Sequence, residues 1–454
     1  MKKHYGFYTL TFLVIANMIG AGVFTTSGFT LADLHDPWIV ILAWIVGGVI
    51  AISGAISYGL LSRLMPESGG EYLFLTQAAH PLLGYIAGWV SLVAGFSGAI
   101  ALAAVALESY LIPASARPAG LPVGVIAISA IIISSLMHGF RPVLGALIQN
   151  TVVATKLMLL IVIVTVGGYL LLQQVGANRG MAPHTAAATV ETDLVLNEQD
   201  SASVVNPDPL RMIFLFAGSL VWISLSYSGF NAAVYVASEV NDPQRVIPRA
   251  LVTGTLMVVV GYVLLNAIFV LGAPYDAIAG QENVAAIAAG ELGGIWFEEF
   301  VRWTIVLCLL TSVFSMMMAA PRVYAKMADD GLLPRMLSFQ GDQPLNATAV
   351  QAVIAIGLVL VSDLQGLIKY LGLTLSLSAA CSVACLFLPA SRRKLSEQSS
   401  PLSRLWYLPP AFFIIATTVA AAMLTYMDPY QAMGTLLTFS IGSSAYFISL
   451  YQRR

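Results

Sequence analysis

Asn17-Met18-Ile19-Gly20-Ala21-Gly22 interrupts the first apolar run of the chain, at about residues 7–32. Glycine and small polar residues each destabilise a helix by up to about 1 kcal/mol, so this cluster predicts a break within a helix. Ser226-Tyr227-Ser228-Gly229-Phe230-Asn231 interrupts a second run, 210–238, in the same way. At about 1.5 Å per residue, both breaks lie roughly 20–25 Å from one face of the molecule, in helices of opposite direction. This relation predicts an inverted repeat.

The composition places the chain in a membrane. Of 454 residues, 58% are hydrophobic and 10% are charged, and the mean hydropathy is +0.84. Soluble domains carry roughly 25% charged residues, so a soluble enzyme and a disordered protein are excluded. The formal net charge of −2 leaves no basic surface for nucleic acid. The partner predicted at this stage is the lipid bilayer.

Apolar runs of about 20 residues mark spanning helices. They predict an all-α membrane protein with twelve transmembrane helices. The predicted ranges are 7–32, 38–63, 82–112, 121–138, 145–175, 210–238, 247–273, 298–326, 345–362, 366–390, 405–426 and 430–450.

These helices divide the chain into four parts. Residues 1–176 form the first inverted repeat (helices 1–5), 177–208 an external polar loop, 209–392 the second repeat (helices 6–10), and 393–454 two additional helices, 11 and 12. Cytoplasmic loops are enriched in Lys and Arg. With both termini cytoplasmic, 15 of the 21 basic residues lie inside, so we expect this orientation, in the cell (inner) membrane.

The two breaks also predict a binding site. A helix break exposes N–H groups with partial positive charge at one stump and C=O groups with partial negative charge at the other. Two adjacent breaks can therefore bind an amino acid zwitterion without ionised side chains, and such interrupted helices point to a transporter site. The amides near Ala21 and Gly22 are predicted to bind the carboxylate, and the carbonyls of Met18, Ile19, Leu225 and Ser226 the ammonium. The predicted substrate-binding set is Met18, Ile19, Gly20, Ala21, Gly22, Leu225, Ser226, Tyr227, Ser228 and Asn231.

Four motifs resemble those of the amino acid–polyamine–organocation superfamily of transporters, over nearly the whole chain. They are Gly20-Ala21-Gly22-Val23-Phe24; Pro66-Glu67-Ser68-Gly69-Gly70-Glu71-Tyr72; Tyr227 to Asn231 with Glu239, Asp242-Pro243-Gln244-Arg245 and Pro248-Arg249-Ala250; and Arg322 to Gly331 with Pro334. The resemblance implies a LeuT-like fold of five plus five helices. It departs at Ala21, where many relatives have serine and its hydroxyl.

Lys156 lies near the predicted midplane, 11 residues into helix 5. A lysine there costs about 2.5–3.5 kcal/mol on insertion scales, so it must face the bundle interior. Two roles remain open: it carries a coupling proton, or it stays charged and stabilises one conformation. The resemblance implies that, in sodium-independent relatives, this lysine takes the position of a sodium ion and bridges helices 1 and 8. Ser312 or Ser315 would then be its partner.

The sequence therefore predicts a secondary transporter that moves a neutral L-amino acid by alternating access, without sodium, by proton symport or amino acid exchange. One alternative is a cationic amino acid or polyamine carrier or antiporter of the same fold. A hypothesis from a different functional class is a membrane sensor that binds an amino acid without transporting it. No acidic residue adjoins either break, which favours a neutral substrate. No protease motif is present, so no enzyme is predicted, and neither a metal site nor a cofactor. Protons are a possible second partner, and the sequence does not decide on an accessory subunit.

Glu108 and three cations lie near predicted helix ends. Glu108 is predicted to be interfacial, with a gate role as the alternative. The cations Arg211, Arg302 and Lys369 are predicted to be interfacial too.

Overall fold

The structure is a computed structural model that describes residues 5–113, 116–140, 142–180, 209–329, 331, 333–339, 344–389, 391 and 404–452. These residues are helical or lie in short connections, and one isolated β-bridge joins Tyr5 to Val240. The predicted external loop 177–208 lies outside the described residues from residue 181 onward.

Sixteen α-helices are named here in chain order: α1 (Phe7–Met18), α2 (Gly22–Leu34), α3 (Pro37–Leu64), α4 (Gly70–Ala78), α5 (Pro81–Val90), α6 (Ala99–Leu111), α7 (Val125–Phe140), α8 (Pro142–Gly180), α9 (Pro209–Ser226), α10 (Pro243–Leu271), α11 (Tyr275–Ile278), α12 (Val284–Asp329), α13 (Leu345–Val361), α14 (Leu364–Ala384), α15 (Leu408–Met427) and α16 (Pro429–Gln452). A π-helix, Ser91–Gly98, joins α5 to α6. Short 3₁₀-helices cover Ala232–Glu239, Arg335–Leu337, Cys385–Phe387 and Arg404–Tyr407.

Seven helices among the described residues are long and apolar enough to cross a membrane, and an eighth is counted if α1 and α2 form one bent span. Shorter apolar helices occupy Val125–Met137, Leu210–Ser226 and Leu345–Val361. The molecule is thus a helical membrane protein. The count of twelve spans stays a prediction, as does the inverted repeat.

Local sequence sets where α3 begins. Asp36 is its N-cap and accepts hydrogen bonds from the backbone N–H of Trp38 (2.7 Å) and Ile39 (3.3 Å). Pro37 follows at the first helical position, where its missing N–H costs nothing. His35, in the left-handed region at φ 56°, ends α2. A sharp reversal between α2 and α3 follows from these three residues.

Two features differ from the sequence prediction. α4 lies in the connection between α3 and α5, where no helix was predicted, because nine residues are too few to give an apolar run of spanning length. α12 begins at Val284 rather than near 298, and it contains a break at Gly294, where φ is 71°. The break separates a short leading helix from the predicted one.

Large aromatic side chains fill the centre of the bundle. Trp44, Tyr227 and Tyr262 are all buried, and their ring centroids lie 5.3–5.8 Å apart. Tyr227 Oη donates to the carbonyl oxygen of Trp44 at 3.0 Å. This cluster joins α3 and α10 to the residue that follows α9, and it fixes the position of the second predicted break.

Candidate functional site

The first helix is interrupted where the sequence predicts. α1 ends at Met18, and Ile19 adopts an extended conformation with φ −76° and ψ 95°. α2 begins at Gly22, and the two helix axes differ by 44°. The last carbonyls of α1 and the first amides of α2 therefore meet at Ile19, Gly20 and Ala21, and none of these groups has a full set of intrahelical partners.

The second interruption follows α9. α9 ends at Ser226, and residues 227–231 form a turn in which Gly229 has φ 97°. A residue with a side chain rarely adopts this conformation. The chain then continues as the 3₁₀-helix Ala232–Glu239, so the predicted helix 210–238 is replaced by two elements joined by a turn.

The two interruptions lie against each other. A Cβ atom added to Gly22 would be 2.9 Å from the Cα atom of Ser226. A Cβ atom added to Gly229 would be 2.7 Å from the carbonyl oxygen of Asn17. Both approaches require glycine, because a side chain at either position would overlap backbone atoms. The structure thus brings the predicted residues of the two breaks together.

α2 is bonded to three neighbouring helices through hydroxyl groups. Thr26 Oγ1 and Ser226 Oγ lie 3.2 Å apart, which joins α2 to α9. Ser27 Oγ donates to Asn266 Oδ1 on α10 at 2.5 Å and accepts from Trp44 Nε1 on α3 at 2.9 Å. These contacts are buried, so they hold the amide end of the break at a fixed distance from α9.

Three of the four predicted carbonyl acceptors already have donors. Tyr262 Oη donates to the carbonyl oxygen of Met18 at 2.6 Å, and Lys156 Nζ donates to that of Ile19. The carbonyl of Leu225 accepts from the N–H of Ser228 at 3.0 Å. Each carbonyl oxygen has two lone pairs, so one position remains for an ammonium group.

The Lys156 side chain on α8 bridges the first interruption and α12. It is 5% exposed, and besides Ile19 it contacts Ser312 Oγ on α12 at 3.2 Å. Ser312 Oγ in turn donates to the carbonyl oxygen of Cys308 at 2.9 Å. The bridge that the resemblance implies, from the first interrupted helix to the predicted eighth, is present in this geometry, and Ser312 is its hydroxyl. Ser315 is half-buried three residues further along α12.

The residues at the two breaks differ in how exposed they are. Asn17 is exposed, and Gly20, Ser228 and Asn231 are half-buried, whereas Ala21 is buried. Tyr227 is buried with its hydroxyl bonded within the bundle, so it is a packing residue in this conformation. Asn231 lies further along the chain, and its Nδ2 donates to Glu71 Oε1 at 3.2 Å.

Among the residues that bond to these elements and that sequence reasoning missed are Tyr262, Asn266 and Glu71. Asn266 was detectable, because it is a buried amide within the 29-residue apolar helix α10. A polar side chain in the membrane interior must find a partner. Tyr262 and Glu71 gave no such signal, because tyrosine is common in membrane helices and Glu71 lies in a loop motif.

Glu108 is part of a structural contact. It is 3% exposed and accepts from Arg117 Nη2 (2.7 Å) and from the backbone N–H of Gly124 (2.8 Å) and Ala127 (2.9 Å). Its carboxylate therefore connects the end of α6 to the start of α7. These partners explain its burial without a gate.

Two of the predicted interfacial cations have carboxylate partners. Lys369 Nζ lies 3.0 Å from Asp428 Oδ2 and 5.3 Å from the ring centroid of Trp222. Arg302 pairs with Glu298 and Glu299 on its own helix. Both cations are thus neutralised within the described part of the chain.

Apolar helices of spanning length around two adjacent interruptions are typical of a membrane transporter. The model of the amino acid permease family matches residues 5–446, and the chain belongs to that family. This confirms the resemblance found in the sequence.

Curated relatives are amino acid transporters at low identity. The mouse b(0,+)-type amino acid transporter 1 is 22% identical over 100% of this chain and 89% of its own length. The cystine/glutamate transporter of Pongo abelii is 23% identical over 96% of this chain and 83% of its own. The human large neutral amino acids transporter small subunit 2 is 22% identical over 82% of this chain and 67% of its own. The chain is therefore an amino acid transporter, and its substrate is a small-molecule amino acid.

Proposed function

We propose that this protein moves a neutral L-amino acid across the membrane by alternating access, without sodium, by proton symport or by exchange. In this proposal twelve spans comprise two inverted repeats of five helices and two additional helices. The N- and C-termini face the cytoplasm. The substrate lies between the interruptions at residues 19–21 and 227–231.

The contact between the two interruptions is the observation that carries the proposal. Gly22 lies against Ser226, and Gly229 lies against Asn17, so amide and carbonyl ends from two helices converge on one place. A zwitterion offers one anionic group for the amide ends and one cationic group for the carbonyl ends. Broken helices at membrane depth are tolerated where they line a cavity.

The chemistry of the side chains near the interruptions supports a neutral substrate. The described side chains that hydrogen-bond to Met18, Ile19 and Ser226 do so through hydroxyl groups or Lys156. The carboxyl of Glu71 bonds instead to Asn231, at the end of the second interruption. A cationic side chain next to Lys156 would be repelled, and it would need a carboxylate there to offset that cost. A neutral side chain has no such requirement.

Lys156 supports sodium independence. Its Nζ bonds the carbonyl of Ile19 and the hydroxyl of Ser312, so in its protonated form it supplies a positive charge between α1 and α12. Carbonyl and hydroxyl oxygens are also the ligands of a sodium ion. A lysine that occupies this position makes a bound sodium ion unnecessary.

Support for alternating access comes from the extended residue between the two halves of the first helix. Ile19 is not helical, so α1 can change its angle to α2, which buried bonds hold to α3, α9 and α10. We propose that α1 moves relative to α2 at the hinge Ile19–Ala21, and that this movement opens the site towards the cytoplasm.

Reconstituted protein in liposomes tests the proposal. Uptake of radiolabelled neutral, cationic and acidic amino acids is measured with sodium or with choline, with and without a pH gradient, and with and without internal amino acid. We expect flux of neutral amino acids that is unchanged in choline. Flux confined to lysine, arginine or polyamines would favour the cationic alternative, and saturable binding without flux would indicate a sensor.

A further inference from the structure

A buried carboxyl group bonds to Asn231 at the end of the second interruption, where three elements meet. Glu71 on α4 is 7% exposed, and its Oε1 accepts a hydrogen bond from Tyr58 Oη on α3 at 2.5 Å. The same oxygen accepts from Asn231 Nδ2 at 3.2 Å, and Asn231 Nδ2 also contacts Tyr235 Oη at 3.3 Å. We refer to Tyr58, Glu71, Asn231 and Tyr235 as the Glu71 cluster.

The loop before α4 is built to hold this carboxyl against the segment that follows the second interruption. Gly69 and Gly70 adopt φ 151° and φ 59°, and a Cβ on Gly70 would lie 2.8 Å from the Tyr235 ring carbon Cδ1. Ser68 Oγ also lies 2.6 Å from Ser238 Oγ and accepts from the N–H of Ser238 at 2.9 Å. Residues 68–71 thus dock along the 3₁₀-helix Ala232–Glu239.

The surroundings of Glu71 are unfavourable for a carboxylate. The titratable groups set against it in the described part of the chain are themselves acids: Tyr58 from α3, Tyr235 from the 3₁₀-helix Ala232–Glu239 and Cys381 from α14. The other packed elements offer Tyr85 from α5 and Cys385 from the 3₁₀-helix Cys385–Phe387. None of these side chains is a cation that would offset the lost hydration of a buried carboxylate.

We propose that Glu71 is a proton-binding site that couples the protonation state of one carboxyl to the movement of the segment after α9. The proposal rests on the proposed function, because it needs that segment to move during transport. In the arrangement described here Oε1 accepts from Tyr58 and Asn231, and Oε2 carries the proton. When residues 231–239 move away, Asn231 withdraws, water reaches the carboxyl, and the proton passes from Oε2 to water on the cytoplasmic side.

The sign of the pH dependence follows from burial. Burial raises the pKa of Glu71 above its usual value, and the hydrogen bonds from Tyr58 and Asn231 oppose that shift only in part. The packed arrangement therefore binds the proton more tightly than a hydrated one. It is favoured below the raised pKa and is lost as pH rises through it. For one proton, the equilibrium between the two arrangements changes by up to about tenfold per pH unit.

The rate of amino acid exchange in liposomes, with equal pH inside and outside, tests the proposal. We expect the wild-type rate to rise with pH as the packed arrangement is released. Glu71→Gln, a neutral mimic of the protonated acid, is expected to hold the rate at its low-pH level at every pH. Glu67→Gln is the matched control, because Glu67 is an exposed carboxyl in the same loop, and it is expected to keep the wild-type profile.

A second readout does not depend on transport. Infrared difference spectra between acidic and neutral pH should contain the C=O band of a protonated carboxyl in wild type and in Glu67→Gln, and that band should be lost in Glu71→Gln. If Glu71→Gln does not fold, Tyr58→Phe replaces it. That variant removes a donor to the charged form, so its pH profile should shift to higher pH.

The outcomes separate this proposal from the proposed function. A wild-type protein that moves no amino acid but has the Glu71 band contradicts the transport function and leaves the proton site in place. A transporter whose Glu71→Gln variant keeps both the wild-type pH profile and the carboxyl band overturns the proton site alone.

Discussion

Gly22, the first residue of α2, packs directly on Ser226, the last residue of α9. A Cβ on Gly22 would lie 2.9 Å from the Ser226 Cα atom and would also overlap the Ser226 hydroxyl. Ser226 Oγ lies 3.2 Å from Thr26 Oγ1, one turn further along α2. One glycine and one serine therefore set the distance between the two interrupted helices, and each can be tested by substitution.

Gly22→Val is expected to abolish substrate binding while the protein still inserts into the membrane. The added side chain must displace the backbone at Ser226, which separates the amide end of α2 from the end of α9. Binding is measured by scintillation proximity with the transported amino acid. Gly261→Val is the control, because a Cβ there has no atom within 4 Å. Unchanged affinity in Gly22→Val would move the site elsewhere.

Gly229→Ala is expected to lower thermal stability and transport together. The residue has φ 97°, which costs a side chain of order 1–3 kcal/mol, and the added Cβ would lie 2.7 Å from the Asn17 carbonyl oxygen. Gly294→Ala separates the two effects, since Gly294 has φ 71° but no atom within 4 Å of an added Cβ. Equal losses in melting temperature for both variants would mean that the contact with Asn17 contributes nothing.

Lys156→Ala is expected to reduce uptake about 10- to 100-fold. It removes a charge-assisted hydrogen bond to the Ile19 carbonyl, and such bonds contribute about 1.5–3 kcal/mol. Lys369→Ala is the control, because that lysine is also partly buried but pairs with Asp428 instead. Uptake measured from pH 5 to pH 9 tests both open roles, and a wild-type rate at every pH would contradict each of them.

Glu108→Ala is expected to lower stability without changing which amino acid is carried. The substitution leaves Arg117 and the N–H groups of Gly124 and Ala127 without their acceptor, at about 1–3 kcal/mol for each buried group. Melting temperature in detergent measures the first effect, and competition for uptake by a panel of amino acids measures the second. A changed substrate preference at normal stability would instead favour the gate role for Glu108.

Much of the fold could be predicted because apolar length and glycine clusters are local properties. The run 38–63 predicts α3, and Asn17 to Gly22 predicts the interruption between α1 and α2, each to within a few residues. Contacts across the bundle are not local. The sequence could not indicate that Tyr262 would reach the carbonyl of Met18, because 244 positions separate them and only packing brings them together.

Lys156 shows most clearly which features the sequence predicts and which depend on tertiary packing. Its depth in an apolar helix already required an interior position, because a lysine facing lipid is costly. Which carbonyl and which hydroxyl it would bond depended on how α8 packs against α1 and α12.

The sequence by itself determined that the chain is a helical membrane protein, that its first helix is interrupted and that Lys156 faces the interior of the bundle. Hydrophobic length and helix-breaking residues act over short stretches, so they can be read directly from the order of amino acids. Only the tertiary structure decided that Gly22 meets Ser226, that Gly229 meets Asn17, and that Glu71 is buried beside Asn231. These contacts join segments far apart in the chain, and they exist only because the helices pack in one particular arrangement.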